Sequence, residues 1–360
     1  MVYTIAKNEA HNAKAWAKSM SEADGVYVLD TGSTDDTADI LRKHGTHVVR
    51  KTIAPWRFDT ARNRSLALVP EDADICVCTD LDERFVTGWR AALETAVQSN
   101  PDAVQFTYEY HWRLHADGSP DVTYRAEKAH RRRGFSWIYP VHEVLYYDSA
   151  EHGNAFNRTA FVPDMVLKHF PDNEKPRSGY LPLLELAYTE RPNDPRCAFY
   201  LGREYFFAAD HARAVPLLSS YIAMPHAVFA EERATALSCL ARCYLAKSNE
   251  KDAEACYLRA LLEAPAVREP YGEFAIYCYQ KERYALAALL CRRALALPAN
   301  GNGYLSEGFC KDSTLPDICA VSLSRCGDRE GALYYARLAL SLDPDNERLI
   351  ENVRVLGTVT

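Results

Sequence analysis

The sequence predicts a Rossmann-like α/β domain with a mostly parallel sheet, followed by an all-α helical repeat domain, over 360 residues. Three observations carry this expectation. In the first half, apolar runs of strand length alternate with helix-compatible segments, the pattern of a parallel sheet with crossover helices. One of those runs, Ile75 to Thr79, ends abruptly in Asp80, Asp82 and Glu83, delivering acids to the carboxyl edge of the sheet, where ligands of open α/β sheets sit. From Pro176 the composition shifts to Ala, Leu, Tyr, Arg and Glu with helical periodicity. The expected domains are therefore 1–172 and 173–360.

A hydrophobic content of 48%, a charged content of 25% and a formal charge of −7 describe an ordinary water-exposed protein and argue against a chain whose main task is to coat nucleic acid. No apolar run approaches the length of a membrane span. Met1 to Ile5 runs straight into a strand-like segment with no secretory leader, so the expected location is cytoplasmic. The eleven cysteines form no Cys-x-x-Cys pair and fall mostly in apolar periodic segments, as small buried thiols do in a reducing compartment.

In chain order, Val2 to Ile5 predicts the first strand and Glu9 to Ser19 a helix with Ala13 and Trp16 available for packing. Gly25 to Leu29 predicts the second strand. The polar loop from Asp30 to Thr37 follows, in which Ser33, Thr34 or Asp35 caps a helix that runs to the stop at Gly45. His47 to Arg50 is a short third strand. Trp56 to Leu68 is an aromatic loop entering a helix that carries Arg62 and Arg64, with Arg64 on a solvated face. In extended chain Asp80 and Asp82 point to the same side, and two such oxygen donors suit Mg²⁺ or Mn²⁺ held between protein and phosphates.

Lys7-Asn8-Glu9, Leu29-Asp30-Thr31-Gly32-Ser33-Thr34-Asp35, Ala61-Arg62-Asn63 and Asp80-x-Asp82-Glu83 occur in the order found in family 2 glycosyltransferases, and the sequence resembles that family over about residues 2–170. The resemblance implies the GT-A fold and a UDP-sugar donor. It implies Asp30 at the nucleotide base, Asp80 at the ribose or metal, Asp82 at the metal and Arg62 near the diphosphate. Thr31 stands where many members carry a second acid, a departure in the base-side loop; uracil is the expected base.

Ala103 to Trp112 predicts an aromatic-rich strand on the acceptor side, and Ala129 to Arg133 a hairpin in which Arg131 to Arg133 either solvate the turn or grip phosphates. Trp137 to Glu143 looks like the Trp-x-x-x-Val-His-Glu acceptor loop of related glycosyltransferases. An inverting transfer needs a base to take the acceptor's proton, a role expected for Glu143 with His142 as the alternative, against a purely structural role for both. Met165 to His169 predicts a short strand presenting His169 as a third metal or phosphate contact, or as a structural histidine.

In the second half, Leu201-Gly202-Arg203-Glu204-Tyr205 aligns with Leu240-Ala241-Arg242-Cys243-Tyr244, Ala241 with Ala275, and Arg259-Ala260-Leu261 with Arg293-Ala294-Leu295. Ala332 to Pro344 adds another unit after an insert around Asn300 to Pro316 that contains Gly301, Gly303 and Gly308. The pattern resembles tetratricopeptide repeats, which implies stacked helix pairs that dock an acceptor, buttress the catalytic half or pair two chains as a homodimer.

Together these readings describe a metal-dependent (Mn²⁺ or Mg²⁺) inverting glycosyltransferase that moves a hexosyl unit from a UDP-sugar to a protein, peptide or glycan. Two alternatives remain open: transfer to a modified nucleic-acid base, and an inactive repeat scaffold for protein–protein interaction.

Overall fold

The computed structural model describes residues 1–152, 158–171, 179–298 and 305–358. The expected boundary at residue 172, Pro176, Gly301 and Gly303 lie outside the described residues. The chain divides into two compact units, Met1–Ala187 and Tyr188–Thr360.

In the first unit β1 (Val2–Ala6), α1 (Ala10–Ser19), β2 (Val26–Asp30), α2 (Thr37–Lys43), β3 (His47–Arg50), α3 (Phe58–Leu66) and β4 (Ile75–Cys78) alternate as the pattern predicts. They are followed by β5 (Glu83–Phe85), α4 (Trp89–Ser99), β6 (Gln105–Leu114), β7 (Pro120–Arg131), β8 (Phe135–Ile138), β9 (Val144–Tyr147), the single turn α5 (Ser149–His152) and β10 (Thr159–His169). The main sheet has the order β3-β2-β1-β4-β7-β6-β10-β5. Its β1–β2, β2–β3, β1–β4 and β6–β10 pairings are parallel; β4–β7, β6–β7 and β5–β10 are antiparallel. β8 and β9 form a separate hairpin.

The two faces of the sheet are covered by different helices. Trp16, Leu41 and Leu93 of α1, α2 and α4 share one core with Val2, Val28 and Val77. Leu66 and Trp137 of α3 and β8 pack on the other face against Tyr3, Cys76 and Cys78. Alternate residues of β1 and β4 thus enter opposite cores, which is why these strands read as unbroken apolar runs. Because β2 and β4 flank β1 on opposite sides, the chain order reverses between β1 and β4, and the carboxyl ends of β1, β2 and β4 open on one edge at that switch point.

The second unit begins within α6 (Tyr180–Glu190). Four helix pairs follow: α7 (Pro195–Phe207) with α8 (His211–Ala223), α9 (Ala230–Ala246) with α10 (Glu250–Glu263), α11 (Arg268–Gln280) with α12 (Tyr284–Leu295), and α13 (Thr314–Arg325) with α14 (Arg329–Leu342), then α15 (Glu347–Gly357). The small residues of the repeat lie where helices touch. Ala241, Ala275, Ala260 and Ala294 are fully buried, and a Cβ on Gly202 would come within 2.6 Å of Leu218.

Each pair turns the same way. Ala209, Ser248, Glu282 and Gly327 sit at left-handed φ of 57°, 57°, 55° and 83°. In each turn the next residue, Asp210, Asn249, Arg283 or Asp328, returns its N–H to the carbonyl of Tyr205, Tyr244, Cys278 or Leu323. This is the Schellman stop. Asp210, Asn249 and Asp328 then cap the next helix with their side chains.

Nine of the eleven cysteines are buried, Cys256 is partly buried, Cys326 is exposed, and all are free thiols, as their apolar settings predict. No helix among the described residues is long and apolar enough to cross a membrane.

Candidate functional site

The first two loops at the switch-point edge are stitched to each other. Asn8 takes a left-handed φ of 55° and accepts the Thr34 N–H at 2.8 Å, while its own N–H donates to Ser33 Oγ at 3.0 Å. Asp35 accepts the N–H groups of Thr37 at 3.0 Å and Ala10 at 3.1 Å, so it serves the starts of both α1 and α2. Residues of the Lys7-Asn8-Glu9 and Asp30-to-Asp35 motifs therefore build the rim of the edge. Asp30 is fully buried: Oδ1 accepts from Gly32 and Ser33 N–H at 3.2 and 2.8 Å. Arg50 Nε lies 2.9 Å from Oδ2 as an ion pair, off the hydrogen-bonding direction, so Oδ2 accepts no hydrogen bond. The carboxylate expected at the base is turned into its own loop.

The acids after β4 are held from below. Trp16 Nε1 donates to Thr79 Oγ1 at 3.1 Å, and Thr4 Oγ1 donates to the Thr79 carbonyl at 2.5 Å. The Glu83 N–H closes a turn on the Asp80 carbonyl at 3.0 Å, and Glu83 Oε2 accepts the Asp80 N–H at 2.8 Å. Around this turn lie two cations. Arg62, buried on α3, donates through Nη2 to Asp80 Oδ1, through Nη1 to the Thr79 carbonyl at 3.3 Å and through Nε to Glu143 Oε1 at 3.0 Å. Lys128 Nζ lies 3.2 Å from both Asp80 Oδ2 and Glu83 Oε1.

Burial alone would raise the Asp80 carboxyl, but Arg62 and Lys128 outweigh it and hold the group far below the usual carboxylate range. Glu83 goes the other way, raised by burial and by its neighbour Asp80 against the pull of Lys128. The resemblance implies Arg62 near the diphosphate. Its three nitrogens are instead engaged by the protein, and it joins the Asp80 turn to the Glu143 loop.

Asp82 faces the other way, toward β10. His169 Nε2 lies 3.4 Å from Asp82 Oδ2, and His169 Nδ1 donates to the Trp112 carbonyl at 3.0 Å, with the two rings stacked 4.4 Å apart. With Nδ1 committed to that carbonyl, Nε2 is the nitrogen turned toward Asp82; without a cation it favours a proton facing the carboxylate, and a ligated cation would take that proton's place. Burial works against a charge on His169, but Asp82 outweighs it and lifts the imidazole above its ordinary value.

Among the described residues no three His, Cys, Asp or Glu side chains converge as a complete metal cage. Asp82 with His169 offers two donors side by side, which fits a Mg²⁺ or Mn²⁺ whose other ligands come from phosphates and water.

On the far side of Arg62, the loop between β8 and β9 carries left-handed Tyr139 and His142 at φ of 75° and 50°. It is tied to the start of α3 by the Phe58 N–H on the Pro140 carbonyl at 2.9 Å, and by Asn63, which exchanges two 2.8 Å hydrogen bonds with the backbone of Trp137. His142 is exposed, with its ring 5.9 Å from that of Tyr180, which also faces Phe58. Glu143 spends Oε1 on Arg62, and among the described residues Oε2 accepts no hydrogen bond. Behind the loop runs a buried relay in which Trp137 Nε1 donates to the Tyr3 hydroxyl at 2.8 Å, Tyr3 to His130 Nε2 at 2.9 Å, and His130 Nδ1 to the Arg131 carbonyl at 2.7 Å.

Two further residues shape the site without a motif to mark them. Lys128 comes from β7, paired antiparallel to β4 with Ala129 opposite Val77, and Tyr110 from β6 borders Glu83. Of the three arginines of the hairpin, Arg131 and Arg132 bond the carbonyls of Ala103, Pro101 and Val69, while Arg133 is exposed.

No protein-family model matches the chain. Among solved structures it is similar to YrrB, titled a TPR protein with an unusual peptide-binding site, at 17% identity and a TM-score of 0.39 over 48% of this chain and 81% of that one. It is also similar to the MamA protein, at 13% and 0.36 over 48% and 85%, and to PilF of Pseudomonas aeruginosa, at 16% and 0.35 over 45% and 67%. At such identities and scores the repeat architecture rests on the helix pairs themselves.

Proposed function

We propose that the protein is a metal-dependent glycosyltransferase that moves a hexosyl unit from a UDP-sugar to an acceptor hydroxyl or amide, with inversion. The observation that carries this reading is the placement of Asp82 beside a pre-oriented His169 on the switch-point edge, one turn from Asp80. Asp82 and His169 would hold the divalent cation, with Asp80 kept ionised beside them. When bound, that cation neutralises the departing diphosphate. Arg62 fixes the spacing between the donor-side turn and the acceptor-side loop. Glu143 uses its unoccupied Oε2 to take the proton of the attacking group, with Oε1 anchored by Arg62. Asp30 shapes the base-side loop from within.

The experiment is intact-mass detection of transfer from a panel of sugar nucleotides onto host lysate fractions, with Asp82→Asn as control. Transfer by the wild type and a loss of about 100-fold or more in the variant support the reading. Wild-type turnover by Asp82→Asn sinks the site assignment.

A second reading, a repeat scaffold without activity, is favoured by one observation: both Asp80 oxygens are already occupied by protein cations. It predicts no stabilisation of the protein by UDP with Mn²⁺.

A further inference from the structure

We propose that Lys128 is a resident counter-ion of the Asp80–Asp82 turn: its ammonium neutralises Asp80 in the metal-free protein and withdraws to Glu83 when a divalent cation enters beside Asp82 and draws on Asp80. The inference rests on reading that turn as a metal site. Both oxygens of Asp80 are taken, Oδ1 by Arg62 and Oδ2 by Lys128 at 3.2 Å. A divalent ion that draws on Asp80 therefore competes with one of them for the carboxylate and is repelled by its charge.

Arg62 is not free to move. Its side chain is 5% exposed, it sits on a helix, and its guanidinium also bonds the Thr79 carbonyl and Glu143. Lys128 differs on each count. It is 27% exposed, its charge rides on a flexible four-carbon stem, and it has a second carboxylate, Glu83 Oε1, at an equal 3.2 Å. Glu83 is itself pinned through Oε2 by the Asp80 N–H, which leaves Oε1 to receive the ammonium. Lys128 therefore gives up Asp80 without being stripped of a partner, and a buried charge avoids being left bare. β7 places it there through its antiparallel register with β4, which carries Lys128 one residue beyond the Ala129–Val77 pair to the level where the acidic turn begins.

The resident ammonium weakens metal binding in the absence of nucleotide, because the incoming ion must first move a positive charge off Asp80. Paramagnetic resonance of free Mn²⁺, titrated into nucleotide-free protein, reads this directly. Lys128→Met is expected to bind Mn²⁺ about tenfold more tightly than the wild type, the size of effect that a charge this close exerts. Glu83→Gln, which removes the refuge, is expected to bind it more weakly. Lys128→Gln, which keeps a hydrogen-bond donor without the charge, replaces the Met variant if that fails to fold. Equal or weaker Mn²⁺ binding by a folded Lys128 variant, beside a wild type that binds, overturns the counter-ion role alone. Absence of Mn²⁺ binding in both overturns the metal-site reading together with it.

Discussion

The two units spend burial in opposite ways. The first hides ionisable groups at one edge of its sheet, with Asp30, Arg62, Glu83 and His169 all at 9% exposure or less, and buries His130 further back on β7. The helical unit hides mainly small apolar residues at repeat positions, such as Ala241, Ala253, Ala275, Ala287 and Ala332. Burying a charge costs several kcal/mol unless it is paired. A chain that does so repeatedly at one edge, while among the described residues its helical unit buries a single arginine, Arg268, on backbone carbonyls, marks that edge as the place where chemistry takes precedence over stability.

The contrast breaks most sharply at Arg62. Arg62→Met removes the cation that Asp80 and Glu143 share, and is expected to destabilise the protein by about 3–5 kcal/mol in urea unfolding. A loss below about 1 kcal/mol would mean that the two acids do not depend on it.

Acid tests the buried ionisable groups of the first unit by another route. Burial pushes His130 down to about 4, and as a neutral ring it accepts the Tyr3 proton. Because its folded value lies below the unfolded one near 6.5, its contribution is complete above pH 6.5 and is lost as pH falls toward 4. The expected loss is about 3 kcal/mol across that window, and His130→Gln flattens the corresponding part of the stability profile. An unchanged profile in the variant would contradict the relay.

The helical unit responds to backbone rather than charge. Ser248 occupies a left-handed position that Gly fills in the last pair, so Ser248→Gly is expected to stabilise by about 1 kcal/mol, read as a higher Tm. A lower Tm would show that the serine side chain contributes more than the strain costs.

These differences also explain what could be read in advance. The strands, helices and acidic strand end were legible because they are local: apolar runs, caps and a motif on contiguous residues. The helix pairs were legible because Ala241 and Ala275 recur at equivalent contacts. The left-handed turns were not, since Ala209, Ser248 and Glu282 share no residue type, and only the last turn uses Gly. At the site, His169 Nε2 lies 3.4 Å from Asp82 Oδ2, a pairing of two residues that each stand at a strand end in the sequence. Lys128 escaped notice because a lone lysine acquires meaning only through the β4–β7 register. The inward turn of Asp30 and the full engagement of Arg62 depend on Arg50 and Glu143, partners distant in sequence or invisible to a motif.

The central claim is that the Asp80–Asp82 edge binds a nucleotide diphosphate through a divalent cation. Calorimetric titration of UDP into the wild type and Asp82→Asn, with and without Mn²⁺, tests it most directly. The account predicts that Mn²⁺ tightens UDP binding about tenfold or more in the wild type and has no effect in the variant. UDP binding that is absent, or equally strong with and without Mn²⁺, would contradict it.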